Sequence, residues 1–72
     1  MIEMYEVDKL ILESLENSPF ISFGELKRKS LKISKESGWK IYYECCPTSI
    51  YLAVENLKNK GIYIEGNFIK KK

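Results

Sequence analysis

PTSIYLAVENLKNKGIYIEGNFIK, residues 47–70, decides how this chain folds. Ile50, Val54 and Leu57 recur at spacings of four and three with Ala53 beside them, the stripe of a helix packed on a core. Lys58 and Lys60 fall in its last turn and Gly61 just beyond, the charge and the cap expected at a helix C-terminus. Residues 62–65 (IYIE) and 68–71 (FIKK) then flank Gly66-Asn67, a dipeptide suited to a two-residue hairpin loop. That loop sets Ile64 opposite Ile69 with Ile62 on the same face, and places Tyr63, Glu65, Phe68 and Lys70 on the other. The stretch therefore predicts a helix from about Thr48 to Lys60 and a β-hairpin over 62–71.

Working outward, Ser22-Phe23-Gly24-Glu25 is a capping box, in which the Ser22 hydroxyl accepts from the Glu25 amide and the Glu25 carboxylate reaches back to the Ser22 N–H. Ile21 and Leu26 stand at the hydrophobic-staple positions on either side of it. The helix that starts here runs through Leu31 toward Ile33, with Phe23, Leu26 and Leu31 inward and Lys27, Arg28, Lys29 and Lys32 as a basic outer face. Before it, Pro19 ends an earlier helix by pushing Ser18 out of the helical region. Phe20-Ile21 is a short extended piece, long enough to lie as a third strand against the hairpin.

That earlier helix is predicted from Met4 to Leu15, because Met4, Val7, Ile11 and Leu15 step by three or four. Glu3, Glu6 and Asp8 sit near its start, where the helix dipole favours them. Leu10 and Leu12 widen the stripe, which leaves two readings open: a homodimer contact through this helix, or ordinary core. Residues 32–46 are the least patterned. Ser37-Gly38 breaks the helix, and residues 39–43 (WKIYY) suit a short strand, an ordered loop or an extra helical turn. Trp39, Tyr42 and Tyr43 beside Lys40 either stack unpaired bases, or Trp39 and Ile41 cover a thin core. Cys45-Cys46 reads either as two small half-buried residues before a helix or as an intermolecular disulfide, since adjacent cysteines bridge each other only with strain.

Composition bounds the rest. With 72 residues, 44% hydrophobic and 31% charged, the chain is expected to be one small globular domain spanning 1–72. Its net charge of +2 hides a polarity: residues 1–25 hold six acids and one base, whereas residues 26–72 hold eleven bases and four acids. Such polarity suits a protein that turns one side to a polyanion. No apolar run approaches the roughly 20 residues of a membrane span, and the acidic N-terminus is unlike a signal peptide, so a cytoplasmic protein without a membrane partner is expected. Histidine is absent, so neither a Ser–His nor a Cys–His nucleophile pair can be built, and two adjacent thiols alone make a poor zinc site. Gly61 and Gly66 lead from a helix into a hairpin and open no helix, so they form no phosphate loop. No enzyme activity, cofactor, metal or small-molecule substrate is expected.

The order of helix, short strand, capped basic helix, amphipathic helix and hairpin resembles a small winged helix-turn-helix DNA-binding protein of the kind found in archaea and their viruses. Residues 48–62 (TSIYLAVENLKNKGI) carry the resemblance: small hydroxyl residues, an apolar residue, Leu-x-x-Leu-like spacing, then Lys-Gly and an apolar residue opening the wing. It implies an α+β winged-helix fold of three helices, a C-terminal hairpin wing and a short third strand near Phe20-Ile21. It further implies a transcriptional regulator of double-stranded DNA, in host cytoplasm if viral, whose third helix enters the major groove. Thr48, Ser49 and Tyr51 would then face bases or nearby phosphates, with Glu55 and Asn56 one turn on. Lys27, Arg28, Lys29 and Lys58 would hold phosphates, and Lys70, Lys71 and Lys72 would reach the flanking backbone. The chain departs from the family in two places: about 15 residues join the second and third helices, and Leu52 stands where a polar or basic side chain usually meets DNA. The alternative is a winged-helix module that docks on replication, transcription or host machinery through Leu52 and Tyr51. A third reading is single-strand binding through Trp39, Tyr42, Tyr43 and Tyr63.

Overall fold

The computed structural model describes residues 3–72, with side chains described from Glu6 onward. The fold is α+β: strand β1 (Glu3–Tyr5), helix α1 (Asp8–Asn17), β2 (Phe20–Ser22), α2 (Phe23–Glu36), β3 (Ile41–Tyr43), α3 (Pro47–Asn56), a 3-10 turn (Lys58–Lys60), β4 (Ile62–Glu65) and β5 (Phe68–Lys71). The strands form a three-stranded antiparallel sheet, ordered β2-β5-β4, and a separate parallel pair, β1-β3.

The hairpin follows the sequence closely. Ile64 pairs with Ile69 and Glu65 with Phe68 around a Gly66-Asn67 loop. Gly66 has φ +62° while Asn67 does not enter the positive-φ region, the pattern of a type II′ turn, which suits right-handed strand twist. Gly61, at φ +79°, ends the 3-10 turn in the left-handed region that only glycine enters freely. Phe20-Ile21 is indeed a third strand, with Ile21 opposite Ile69. The core under this sheet is entirely aliphatic: Val7, Leu10, Ile11, Leu15, Ile21, Leu26, Ile50, Ala53, Val54, Leu57, Ile62 and Ile69 are buried.

Ser22 caps α2 as expected, its hydroxyl accepting from the Glu25 N–H at 3.1 Å. The return arm of the box differs: the Glu25 carboxylate accepts from the Ser22 hydroxyl at 3.2 Å, not from the Ser22 backbone. Helix α2 also runs to Glu36, three residues past Ile33. Ser30 and Ser34 lie on its buried side, each donating its hydroxyl back along the helix, to the carbonyls of Lys27 and Ser30. This internal pairing lets small polar residues occupy packed helical positions without an unmet hydrogen bond.

Five expectations are corrected. The first helix begins at Asp8, not Met4, because residues 3–5 pair in parallel with β3. Non-local strand pairing outweighs the helical spacing of Met4 and Val7, and Val7 becomes the buried residue preceding the helix. The Met4 side chain lies outside what is described, and only Asp8 occupies the acidic first turn. The third helix stops as an α-helix at Asn56 and tightens into the 3-10 turn before Gly61. Leu31 is exposed, not inward. Trp39 is 51% exposed and covers no core. Gly38 and Trp39 both adopt positive φ, their N–H groups capping the Lys35 and Ser34 carbonyls, and this reversal carries the indole outward. Because α2 is longer than expected, ten residues and not fifteen separate it from α3.

In the first helix Leu10 is buried and Leu12 packs partly on the same core. Ile69→Ala, at a site with no exposed surface, should destabilise the protein by about 2–5 kcal/mol. Ser22→Ala, which removes only the cap, should cost about 1 kcal/mol. Urea unfolding followed by circular dichroism measures both, and comparable losses would contradict this division between core and cap.

Candidate nucleic-acid interface

The basic residues of α2 do not form one face. Successive helical residues turn by about 100°, so Lys27 and Lys29 fall on opposite flanks of the buried Leu26–Ser30 side, with Arg28 pointing outward between them. Lys27 lines a cleft of about 380 Å³ with Phe23, Gly24, Cys46, Pro47 and Ile50, between the start of α2 and the start of α3. Lys29 leans the other way and donates to the Ser14 hydroxyl of α1 at 3.4 Å. Lys32 borders α1 on that same side, beside Glu13.

Helix α3 is similarly divided. Ile50, Ala53 and Val54 are buried, which leaves Thr48, Leu52 and Glu55 as its outward stripe, all exposed. Tyr51 turns toward α2 and meets Phe23 edge to face, ring centroids 5.9 Å apart. Ser49 and Asn56 turn the opposite way, into a cleft of about 250 Å³ that they share with Leu52, Glu6, Asp8 and Glu44. One flank of α3 therefore carries Lys27 and an aromatic pair, and the other carries three carboxylates. Glu6 and Asp8 reach α3 because β1 tethers the N-terminal segment to β3, a pairing far apart in sequence. Their presence beside Ser49 was signalled only by the acidic balance of residues 1–25. Among the described residues no group of three or more carboxylates or thiols is placed to hold a metal ion.

The hairpin lysines sit elsewhere again. Its turn abuts α2, where Phe23 N–H donates to the Asn67 carbonyl at 3.0 Å. Lys70 and Lys71 occupy the opposite, open end, which lies roughly 10 Å along the strand from the turn. Lys71 and Lys72 border the Asn17–Pro19 corner, and Lys70 is already engaged, 2.7 Å from Glu65. The ion pair lowers the Glu65 carboxyl and raises the Lys70 amine, but it is solvent-exposed and so easily exchanged for another anion. Lys58 is exposed in the 3-10 turn at the far end of α3. Of the sequence-predicted residues, the fold thus gathers Lys27 and the start of α3 around one cleft, with Tyr51 against its Phe23 wall and Arg28 and Thr48 exposed on the same two helices. Lys29, Ser49, Asn56, Lys70 and Lys71 are dispersed to other surfaces.

The two free cysteines mark the mouth of that cleft. Cys45 is half-buried, and burial pushes its thiol up against the opposing Ser30 hydrogen bond. Cys46 precedes α3 at the N-cap position and is exposed; the Ser49 hydroxyl, 3.1 Å away, holds its thiol down. A lower pKa means more thiolate at neutral pH and faster alkylation. Iodoacetamide should therefore label Cys46 well before Cys45. Ser49→Ala should move the Cys46 labelling profile to higher pH, read by mass spectrometry of the digested protein; equal labelling of the two thiols would contradict the assignment.

No family model, curated protein or solved structure matches this chain, so its function is argued from the geometry just described.

Proposed function

We propose that the chain is a winged helix-turn-helix DNA-binding protein that acts as a non-catalytic transcriptional regulator, with α3 directed into the major groove and the β4–β5 hairpin as its wing. The observation that carries this reading is the shared cleft: Lys27 of α2 and the first turn of α3 border one space, and Tyr51 is seated on Phe23 beside it. Phosphate contacts fix the position of such a helix, while its outward side chains meet base edges. Here Lys27 and Arg28 hold one phosphate strand, and Thr48, Tyr51 and Glu55 face the groove. The chain has little means of bidentate guanine readout, since Arg28 is its single arginine, so sequence preference leans on hydroxyl contacts and DNA shape.

The acidic flank sets the orientation. Glu6, Asp8 and Glu44 beside Ser49 and Asn56 repel a phosphate strand, so the duplex tilts toward α2 and away from the N-terminal segment. The same flank favours a second reading. Leu52 is 62% exposed beside three carboxylates, a combination that fits a basic segment of a partner protein with an apolar anchor.

Under the DNA reading, duplex affinity falls steeply with salt. Lys27→Ala and Arg28→Ala should each flatten the slope of log affinity against log salt by about 0.9, whereas Lys29→Ala should leave it unchanged. A double Glu6→Gln, Glu44→Gln variant should bind duplex more tightly at low salt, the gain fading as screening shortens the interaction. Mobility shift at several salt concentrations measures all four. Binding that ignores salt, or duplex affinity lost on Glu6 and Glu44 neutralisation, would overturn the reading. Leu52→Arg separates the two readings: it should preserve or strengthen duplex binding but disrupt a protein contact made through the acidic flank.

A further inference from the structure

Among the described residues no aromatic side chain is fully buried in the core; Phe23 and Tyr43 pack only partly against it. Aromatic side chains usually dominate cores because of their large apolar area. Their location outside is therefore informative where they cluster, although a single exposed one needs no explanation. The densest cluster lies on the outer face of the three-stranded sheet, opposite the isoleucines. The strand registers arrange this face as two cross-strand rows: Phe20, Lys70 and Tyr63 in one, Ser22, Phe68 and Glu65 in the next. Phe20 and Phe68 are 46% and 40% exposed and meet edge to face with centroids 5.5 Å apart. Lys72 places its amine 6.0 Å from the Tyr63 ring centroid, and its N–H is anchored to the Gly61 carbonyl at 2.9 Å.

We propose that this sheet face is a stacking platform for single-stranded DNA, with Phe20, Phe68 and Tyr63 receiving bases and Lys70 and Lys72 receiving the phosphates between them. Three features of the face match that ligand. Aromatic residues on the two outer strands stand roughly 10 Å apart across β5, with an amine between them. Unpaired bases expose π faces that stack on such rings regardless of sequence, and lysines interleaved with the rings neutralise the backbone. Glu65, the one carboxylate of the strands themselves on this face, is held by Lys70 in an exposed pair, so an incoming phosphate replaces one anion with another at little cost; the Glu25 carboxylate borders the face at Ser22, where it accepts from the hydroxyl. A generic apolar partner would leave the Lys72 amine without an anion, whereas a polynucleotide satisfies rings and amines together.

The platform stands on the sheet alone and does not depend on α3. Only the choice of DNA over RNA rests on the duplex reading, through continuity of this face with the wing. A duplex bound at α3 and an unpaired strand on the sheet would meet only at the hairpin.

The experiment is fluorescence anisotropy of a labelled oligo(dT) of about ten nucleotides, run beside a blunt duplex and an oligo(rU) of the same length. Phe20→Leu and Phe68→Leu keep apolar area but remove the π face, and each should weaken oligo(dT) binding by about fivefold or more. Phe20→Tyr and Phe68→Tyr keep the ring and should bind like the unaltered chain. Glu65→Gln frees Lys70 without touching the core and should tighten oligo(dT) binding while steepening its salt dependence. Duplex affinity should be unaffected by the Phe20 variants, because β2 lies outside the β4–β5 hairpin. The proposal is overturned if the unaltered chain does not bind oligo(dT), if it binds only oligo(rU), or if the Leu variants bind normally. It is equally overturned if Phe20→Leu loses oligo(dT) and duplex in the same proportion, which would mean one shared surface, or if sedimentation shows a second copy of the chain covering the face. Loss of duplex binding in Lys27→Ala with oligo(dT) binding intact would leave both readings standing. A chain that never binds duplex yet binds oligo(dT) through its rings would sink only the former.

Discussion

One row of three side chains, Ile21–Ile69–Ile64, holds this fold together. Ile69 lies on the central strand with no exposed surface, Ile21 on one side is buried in the same core, and Ile64 on the other packs against it. Because side chains alternate along a strand, a slip of one residue would turn every isoleucine outward and every aromatic inward. The register is thus fixed by the core, and the outer face inherits it: Phe20, Tyr63 and Phe68 are placed outside by the same choice that places Ile21, Ile64 and Ile69 inside. Gly66 makes that register attainable, since a loop of two residues with a positive φ at its first position leaves the flanking strands one pairing.

Local features were legible in the sequence and long-range ones were not. The hairpin register, the Ser22 cap and the left-handed Gly61 each depend on a few neighbouring residues, and each follows from their chemistry. The short piece at Phe20-Ile21 is long enough to suggest a third strand but too short to establish one from sequence alone; its pairing with β5 does so. By contrast, residues 3–5 carry a helical period that α1 could have used. They are extended because β3, nearly 40 residues away, offers them hydrogen-bond partners, and no local rule discloses that. Trp39 was misplaced because its outward position follows from two successive left-handed residues that end α2, an uncommon conformation for a tryptophan.

The candidate site was legible in composition more than in geometry. Lys27, Arg28 and Lys29 read as a basic run, but helical rotation separates adjacent members, so a run in sequence becomes a girdle in space. Lys29 ends on α1, against Ser14. The acidic surroundings of Ser49 and Asn56 could be sensed only as an excess of carboxylates in residues 1–25. That excess acquires a location when β1 draws Glu6 and Asp8 to the flank of α3. The separation of charge along the sequence thus becomes a separation across a single helix.

This asymmetry constrains any ligand of α3 more than the identity of its outward residues does. A helix lying in a groove between two phosphate strands gains from cations on both sides and loses where one side is acidic. With Lys27 on one flank and Glu6, Asp8 and Glu44 on the other, the helix can meet a polyanion only obliquely, from the α2 side. A basic protein segment meets the opposite constraint and is drawn to the Leu52 side. The two modes need not exclude each other, because they use different flanks of one ten-residue helix. What they share is dependence on β1: without its pairing to β3, Glu6 would leave α3, and the helix would lose part of the polarity that tells its two sides apart.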